Sequence, residues 1–366
     1  MKKIILSLLA IAVLTGCKKD DEETASTSTG GTNASYTVPT TYNFDNVSYG
    51  GQTDRLNMLA ALTSYVKTGH TEGTTLDASV LNAMYANDGY TWDATVFPTQ
   101  PTKDLKHKTY PYTQASIVEL FDSIAAHSGK VGGANGQAGL VTGANRTILV
   151  DATGKEYAQL IDKGLMGSCF YYQGTSKYLS DEKIGDAVDN ETVEEGKGTA
   201  KEHHFDEAFG YFGAPIDFPT NDSSGLSFWG KYCNKRDGVA ETNDIMDAFL
   251  RGRAAISAKN KADQDAAVAD IKALWEKISA ATAIHYLNEG ISSFADDGDR
   301  LHVLSEAYSF IKAFGYNAEG SISSADGTEV LTALGDNYWE VTVESITAAR
   351  DLLATKAGLE SIKTEL

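Results

Sequence analysis

The sequence predicts an all-α protein whose helices form a bundle. Apolar residues recur with helical spacing through most of residues 38–366, and alternating strand patterns are nearly absent from that stretch. A hydrophobic fraction of 42% is enough for a sizeable core. This length suggests one large helical domain or two lobes. A boundary between lobes is placed near residue 198, where an acidic, glycine-containing stretch ends.

Helices are predicted in order along this domain. Thr53 or Asp54 can cap the first helix and Asp77 can cap the second, because their side-chain oxygens can accept from the free N–H groups of a helix start. A further helix follows residue 198, and others are predicted over residues 111–127, 155–172, 262–289, 299–314 and 341–356. Residues 147–150 are the candidate for a short extended segment.

The segment 128–145 contains six glycines and has the composition of a phosphate-binding loop. No Gly-Lys-Ser or Gly-Lys-Thr sequence follows it into a helix, so a Walker-type nucleotide site is not predicted. We expect a structured surface loop here.

The N-terminus carries a targeting signal. Two lysines and an apolar run over residues 4–13 precede the sequence Leu14-Thr15-Gly16-Cys17. This pattern resembles the lipobox of bacterial lipoproteins, and the resemblance implies cleavage before Cys17 and lipid attachment to that residue. Residues 1–16 are then the signal peptide. The apolar run is too short for a permanent transmembrane helix.

A lipidated, disordered tether is predicted over residues 17–37, because this stretch holds too few apolar residues to bury. Its start, Lys-Lys-Asp-Asp-Glu-Glu at residues 18–23, resembles the signature of surface-exported lipoproteins in some Gram-negative bacteria. We expect a protein anchored to the outer membrane through Cys17. An outward-facing protein and a plain solvated tether are both open interpretations of the acidic run.

Charge limits the partners. The formal charge of the chain is -19, and loss of Lys2 and Lys3 with the signal peptide makes it -21. This charge argues against nucleic acid and anionic lipid as partners, since both require cationic neutralisation of phosphate. Cys169 and Cys233 remain after lipidation, and they are either paired in a disulfide or two buried thiols.

The predicted helix after residue 198 has two distinct faces. One face is an apolar stripe made of Phe205, Phe209 and Phe212. His203, His204 and Glu207 fall on the opposite side, with Tyr211 beside them. Imidazole and carboxylate groups at these spacings can hold one metal ion, with iron or zinc as the candidates. A solvent-exposed face with no such role is the alternative.

Other histidines are candidates to complete this site. His285 lies on the same face of the long predicted helix as its apolar residues, so it is expected to point into the core. Its partner there is either a metal shared with His204 and Glu207 or a backbone carbonyl. His302 and Glu306 are also four residues apart and are held as reserve ligands.

The body of the chain resembles an uncharacterised lipoprotein family whose members carry a domain of unknown function. The segments that carry this resemblance are residues 164–167, 170–173, 202–213, 228–234 and 283–288. More distantly, His204-x-x-Glu207 resembles the Gly-x-His-x-x-Glu motif of imelysin-like proteins. In this chain, Glu202 stands at the position of the motif's glycine. That resemblance implies a two-lobed helical envelope protein linked to iron uptake.

Two functions of different class follow from the sequence. The first is binding of a metal ion or metal complex in iron acquisition, with His203, His204, Glu207 and His285 as ligands. The second is a binding or scaffold lipoprotein without metal, whose aromatic groove takes glycan or peptide. That groove would include Tyr171, Tyr172, Tyr178 and Trp229. Peptidase activity ranks third, since no zincin motif or nucleophile elbow is present.

Overall fold

The computed structural model describes residues 35–366. The predicted signal peptide, the lipidation site Cys17 and most of the predicted tether lie outside the described residues. Within residues 35–366, every helix is too short or too polar to cross a membrane.

Helices dominate the described chain, which confirms the predicted all-α bundle. The α-helices are α1 Gly50–Thr68, α2 Ala78–Ala86, α3 Gln114–His127, α4 Tyr157–Leu165, α5 Asp181–Ile184, α6 Ala200–Phe212, α7 Phe228–Ala240, α8 Asp244–Ser257, α9 Lys261–Ser292, α10 Asp297–Ala313, α11 Ser324–Leu334 and α12 Val343–Ala357. A π-helix spans Met166–Tyr178, and 3₁₀ turns span Lys106–Lys108, Pro111–Thr113 and Phe314–Tyr316. The long helix α9 packs against α8, α10 and α12.

The first helix begins earlier than the sequence suggested. The prediction that Thr53 or Asp54 caps it was wrong, because α1 starts at Gly50 and follows an N-cap residue, Tyr49, whose side chain makes no capping hydrogen bond. Two glycines are poor helix formers, so packing and not propensity sets this start. The predicted cap at Asp77 is confirmed, since its side chain accepts from the backbone of α2.

The helix predicted over residues 155–172 changes its winding partway. The α-helix ends at Leu165 and continues as a π-helix of 13 residues. Gly174 lets this wider helix pack against the core, because a Cβ there would lie 2.6 Å from the ring of Trp275. Such long π-helices are rare, and π-type turns are often found at functional sites.

The predicted extended segment is confirmed as strand β2, Thr147–Val150. It pairs antiparallel with β1, Gly139–Thr142, so Gly139 lies opposite Val150. The glycine-rich segment 128–145 was predicted to be a loop throughout, but its last third supplies this partner strand. This part of the segment forms a strand because the side chains of Leu140 and Val141 are buried.

One cluster of buried apolar side chains runs through the described chain and includes residues from both sides of residue 198, such as Phe121, Phe170, Phe249 and Trp275. The division into two lobes stays a prediction. Cys169 and Cys233 are free, buried thiols. Burial raises the pKa of Cys169 to about 12.

Candidate functional site

Helix α6 carries the predicted motif and begins with a reciprocal cap. The hydroxyl of Thr199 accepts from the backbone N–H of Glu202 at 3.2 Å, and the Glu202 carboxylate accepts from the N–H of Thr199 at 2.9 Å. The predicted apolar stripe is confirmed, since Phe205, Phe209 and Phe212 are fully buried. Tyr211 is also fully buried, so it does not belong to the polar face as predicted.

The polar face of α6 packs against the start of α1. Gly210 makes the close approach possible, because a Cβ there would lie 2.6 Å from the Cβ of Tyr49 and 2.9 Å from the Cβ of Gln52. This contact places His203 and Glu207 at the wall of a pocket and not in open solvent. Both side chains are largely buried.

The pocket has a volume of about 270 Å³ and a cationic lining. Its charged side chains are Arg55, Lys103, Lys108, Lys197 and Glu207, so four cations face one carboxylate. This excess of positive charge is confined to the pocket, whereas the whole chain has a formal charge of -19. We call this site the cationic pocket.

Arg55 is the most buried of these cations, with 6% of its surface exposed. Its Nε donates to the carbonyl oxygen of Asp104 at 2.7 Å, and its Nη1 donates to the carbonyl of Gly51 at 2.9 Å. No carboxylate of residues 35–366 lies within 4.0 Å of its guanidinium. The Asp54 carboxyl is close enough to feel Arg55 and Lys103, but burial outweighs them and raises the pKa of Asp54. A buried cation without a paired carboxylate suits an anionic ligand.

Lys103 and Lys108 also lack ion pairs within the described chain. Lys103 is exposed and its ammonium group makes no hydrogen bond there, although its backbone carbonyl accepts from Asn87. Lys108 donates its Nζ to the hydroxyl of Tyr178 at 2.8 Å. Burial, and next the charge of Arg55, lower the pKa of Lys108. Lys197 differs from these lysines, because it pairs with Glu194.

The N-terminus of α1 contributes two further donors. The N–H groups of Gly50 and Gly51 have no acceptor in the described part of the chain, and the first turn holds no acidic side chain. Helix N-termini attract anions through such free N–H groups and through the helix dipole. Together with Arg55, this gives the pocket both charge and directed hydrogen-bond donors.

Glu207 supplies the acceptor side of the pocket. Its Oε1 accepts from Nε2 of Gln52 at 2.7 Å, and its Oε2 lies 3.9 Å from Nε2 of His203. Burial and the neighbouring Glu207 raise the pKa of Tyr178. Nδ1 of His203 is buried and has no hydrogen-bond partner among residues 35–366.

Of the other predicted ligands, His204 stays close to this pair, with its ring centroid 6.3 Å from that of His203, whereas His285 lies apart. The Nδ1–H of His204 donates to the carbonyl of Lys183 at 2.7 Å, and burial lowers the pKa of His204. His285 was expected in the core, but 25% of its side chain is exposed and its Nε2 lies 3.5 Å from Glu289 on the same helix. No hydrogen bond or ion pair within residues 35–366 joins His285 to α6.

The reserve pair belongs to a separate buried cluster. Nδ1 of His302 donates to Oε2 of Glu156 at 2.5 Å, and Nε2 of His302 lies 3.8 Å from Glu306. His70 approaches the same Glu156 at 3.6 Å. In the described chain, no group of three or more His, Cys, Asp or Glu side chains has an arrangement that could hold a metal ion.

The predicted aromatic groove is mostly core. Tyr171 and Trp229 are fully buried, and Tyr178 is nearly so. Sequence reasoning missed Arg55, Lys103 and Lys108. The sequence offered one signal. Gly50 and Gly51 begin a helix whose first turn has no acidic residue, and Arg55 follows four residues after Gly51.

Comparison with known proteins gives a family and no close relative. No curated protein and no solved structure matches this chain. A family model described as a domain of unknown function, DUF4856, matches residues 39–360, which cover nearly all of the described bundle and include every residue of the cationic pocket. The chain therefore belongs to the DUF4856 family.

Proposed function

We propose that this protein is a lipid-anchored component of the cell envelope that binds a small anionic ligand in the cationic pocket. The observation that carries the proposal is Arg55, a buried guanidinium with no carboxylate within 4.0 Å among the described residues. Removing a cation from water without a counter-ion is unfavourable. An anionic ligand would supply that counter-ion.

The ligand class follows from the donors in the pocket. A guanidinium presents a planar fork that matches a carboxylate or phosphate, and Lys103 adds a mobile point charge. A volume of about 270 Å³ lies at the small end for ligand pockets. Glu207 can accept from a hydroxyl of the ligand. A small molecule with a carboxylate or phosphate group and neighbouring hydroxyls meets these conditions.

Anchoring is the second part of the proposal. Lipid on Cys17 would hold the chain at the outer membrane, and residues 17–37 would separate the helical body from that surface. The charge of -21 after signal removal favours a body that stays away from anionic lipid. Neither the membrane leaflet nor a protein partner is part of the proposal.

Capture of iron or zinc by His203, His204, Glu207 and His285 stays a prediction. Four cations around His203 and Glu207 would repel a bare metal ion. An iron chelate with net negative charge avoids this repulsion. The pocket therefore favours chelated iron over a free metal ion.

Calorimetric titration of the full chain in detergent tests the proposal. Citrate, inorganic phosphate and ferric citrate are the probes. Lys103→Met should weaken binding of the preferred probe by a factor of about 10 to 150, since a hydrogen bond to a charged group contributes roughly 1.5–3 kcal/mol. Lys231→Met is the matched control, because Lys231 is an exposed lysine on α7 outside the pocket.

Arg55→Gln provides a second variant, with its fold checked by circular dichroism. It should weaken the same probe at least as strongly as Lys103→Met. The proposal is wrong if none of the three probes binds the parent protein. It is equally wrong if the Lys103 and Lys231 variants bind alike.

A further inference from the structure

A cluster of four tyrosines, one exposed and three partly buried, lies beside the cationic pocket. We name it the tyrosine patch, and its members are Tyr110, Tyr112, Tyr172 and Tyr316. From its position we infer that the ligand is an acidic oligosaccharide, with one charged group in the pocket and neighbouring sugar rings on the patch. This inference rests on the proposed function and specifies its ligand.

Tyr110 is the centre of the patch. Its ring centroid lies 5.3 Å from that of Tyr112, 5.0 Å from that of Tyr172 and 5.5 Å from that of Tyr316. Tyr112 is 85% exposed, well above any other large apolar side chain of the described residues. None of the four hydroxyls has a hydrogen-bond partner within residues 35–366. Tyr112 therefore supplies most of the exposed aromatic surface of the patch, whereas Tyr110, Tyr172 and Tyr316 are partly buried. Exposed aromatic surface is typical of binding sites.

The patch and the pocket are continuous along one segment. Lys108 and Tyr110 flank Thr109, which is buried and has extended backbone angles. Because they are only two residues apart, the Cα atoms of Lys108 and Tyr110 lie within about 7 Å of each other. Lys108 lines the pocket and Tyr110 is the centre of the patch, so the two sites adjoin at this segment.

The π-helix forms the second wall of both sites. It holds the segment through two hydrogen bonds, from the Tyr110 N–H to the Ser168 carbonyl at 2.7 Å and from the Gln173 side chain to the Lys108 carbonyl at 2.8 Å. Its last residue, Tyr178, lines the pocket, whereas Tyr172 belongs to the patch. The rare winding of this helix thus serves a surface that spans both sites.

Oligosaccharides match this combination of groups. The C–H face of a sugar ring packs on an aromatic ring, and sugar hydroxyls can bond with tyrosine hydroxyls. Lys177, whose Nζ lies 5.9 Å from the Tyr172 ring, adds positive charge next to the patch. A peptide that binds by strand addition would instead need an open sheet edge. The one sheet of the described residues, β1 with β2, does not contribute to the patch.

The test compares ligands of increasing size on the full chain by calorimetry. Galacturonate and trigalacturonate are the acidic probes, a sulfated trisaccharide distinguishes sulfate from carboxylate, maltotriose is neutral, and triglutamate is an acidic peptide. Tyr112→Ala should weaken trigalacturonate or the sulfated trisaccharide about 3- to 10-fold and leave galacturonate unchanged. Val193→Ala, at another exposed apolar residue, is the control.

The outcomes separate this inference from the proposed function. If Lys103→Met weakens galacturonate but Tyr112→Ala changes no trisaccharide, the saccharide inference is overturned and the anion pocket stands. Maltotriose binding as tightly as the acidic trisaccharides would also overturn it. So would triglutamate binding that depends equally on Tyr112. Tyr112→Ala would leave the fold intact, since the ring is 85% exposed.

Discussion

Nε of Arg253 on α8 donates to Oδ1 of Asp206 on α6 at 2.9 Å, and both side chains are almost entirely buried. The same guanidinium donates through Nη1 to Glu202 at 2.7 Å, and Tyr42 donates to the same Asp206 oxygen. Burial raises the pKa of Asp206 to about 6 in spite of its ion pair with Arg253. This network ties α8 to the helix that carries His203.

We expect Arg253→Met to destabilise the protein by about 3–5 kcal/mol, because it leaves a buried carboxylate without its partner. Arg251→Met is the matched control on the same helix. Arg251 is 33% exposed and pairs with Asp247 and Asp270, so its loss should change the free energy of unfolding by less than about 1 kcal/mol. Urea denaturation measures both. Equal effects of the two substitutions would contradict the expectation.

The two glycines at the start of α1 offer a paired test of the pocket. Gly51→Ala should stabilise the helix by about 0.4–1 kcal/mol, since alanine loses less entropy on folding. It should also weaken anion binding, because the new Cβ would lie 3.3 Å from Cε of Lys103. Gly50→Ala meets nothing within 4 Å and should give the stability gain alone. Thermal unfolding measures the change in stability, and calorimetry measures the change in anion binding. Identical binding by both variants would show that the contact between residue 51 and Lys103 does not affect the pocket.

We expect the ionisation of Glu156 to make the stability of the protein depend on pH. Burial alone would raise the pKa of Glu156, but the hydrogen bond and charge of His302, with His70, outweigh burial and lower the pKa. A lowered pKa in the folded state stabilises the protein above the unfolded value of about 4.5, and this contribution is lost as the pH falls through the folded value.

Glu156→Gln should therefore cost about 1.5–3 kcal/mol at neutral pH and progressively less below about pH 4.5. Urea unfolding at a series of pH values measures the difference from the parent protein. Glu72→Gln, at an exposed carboxylate, controls for general charge effects. A penalty for Glu156→Gln that stays constant with pH would show that His302 does not stabilise the charged form.

The two cysteines should behave as inert core residues. Sγ of Cys233 donates to the carbonyl of Thr242 at 3.1 Å, and burial raises the pKa of both thiols. Ellman's reagent should react with Cys169 and Cys233 in the unfolded protein and only very slowly in the native one. The melting temperature should be the same with and without reductant. A drop on reduction would indicate a disulfide instead.

Periodicity in the sequence was sufficient for the bundle and for the apolar stripe of α6, but it placed the buried Tyr211 on the polar face. The stripe of Phe205, Phe209 and Phe212 was readable because helical spacing alone determines it. The π-helix was not readable, since its backbone winding depends on packing such as Gly174 against Trp275. The start of α1 was missed for a similar reason, because tertiary contacts override the weak helix propensity of Gly50 and Gly51.

The pocket itself lies beyond single-sequence reasoning. His203 and Glu207, which the sequence placed on a polar face, line this pocket, but their partners come from distant segments. Arg55, Lys103 and Lys108 lie about 100 to 150 residues earlier in the chain, and only the packing of α1 on α6 brings them together. Each of these cations looks like an ordinary surface residue until that packing is known.

The cationic pocket within so acidic a chain has a kinetic consequence. An approaching anion first meets the repulsion of a molecule whose formal charge is -21 after signal removal, and it meets the attraction of Arg55 and Lys103 only at short range. Added salt screens the long-range repulsion first, so the association rate should rise with ionic strength while the dissociation rate also rises. This protein would then exchange its ligand fastest in salty surroundings, the reverse of the behaviour of proteins that attract their ligands from a distance.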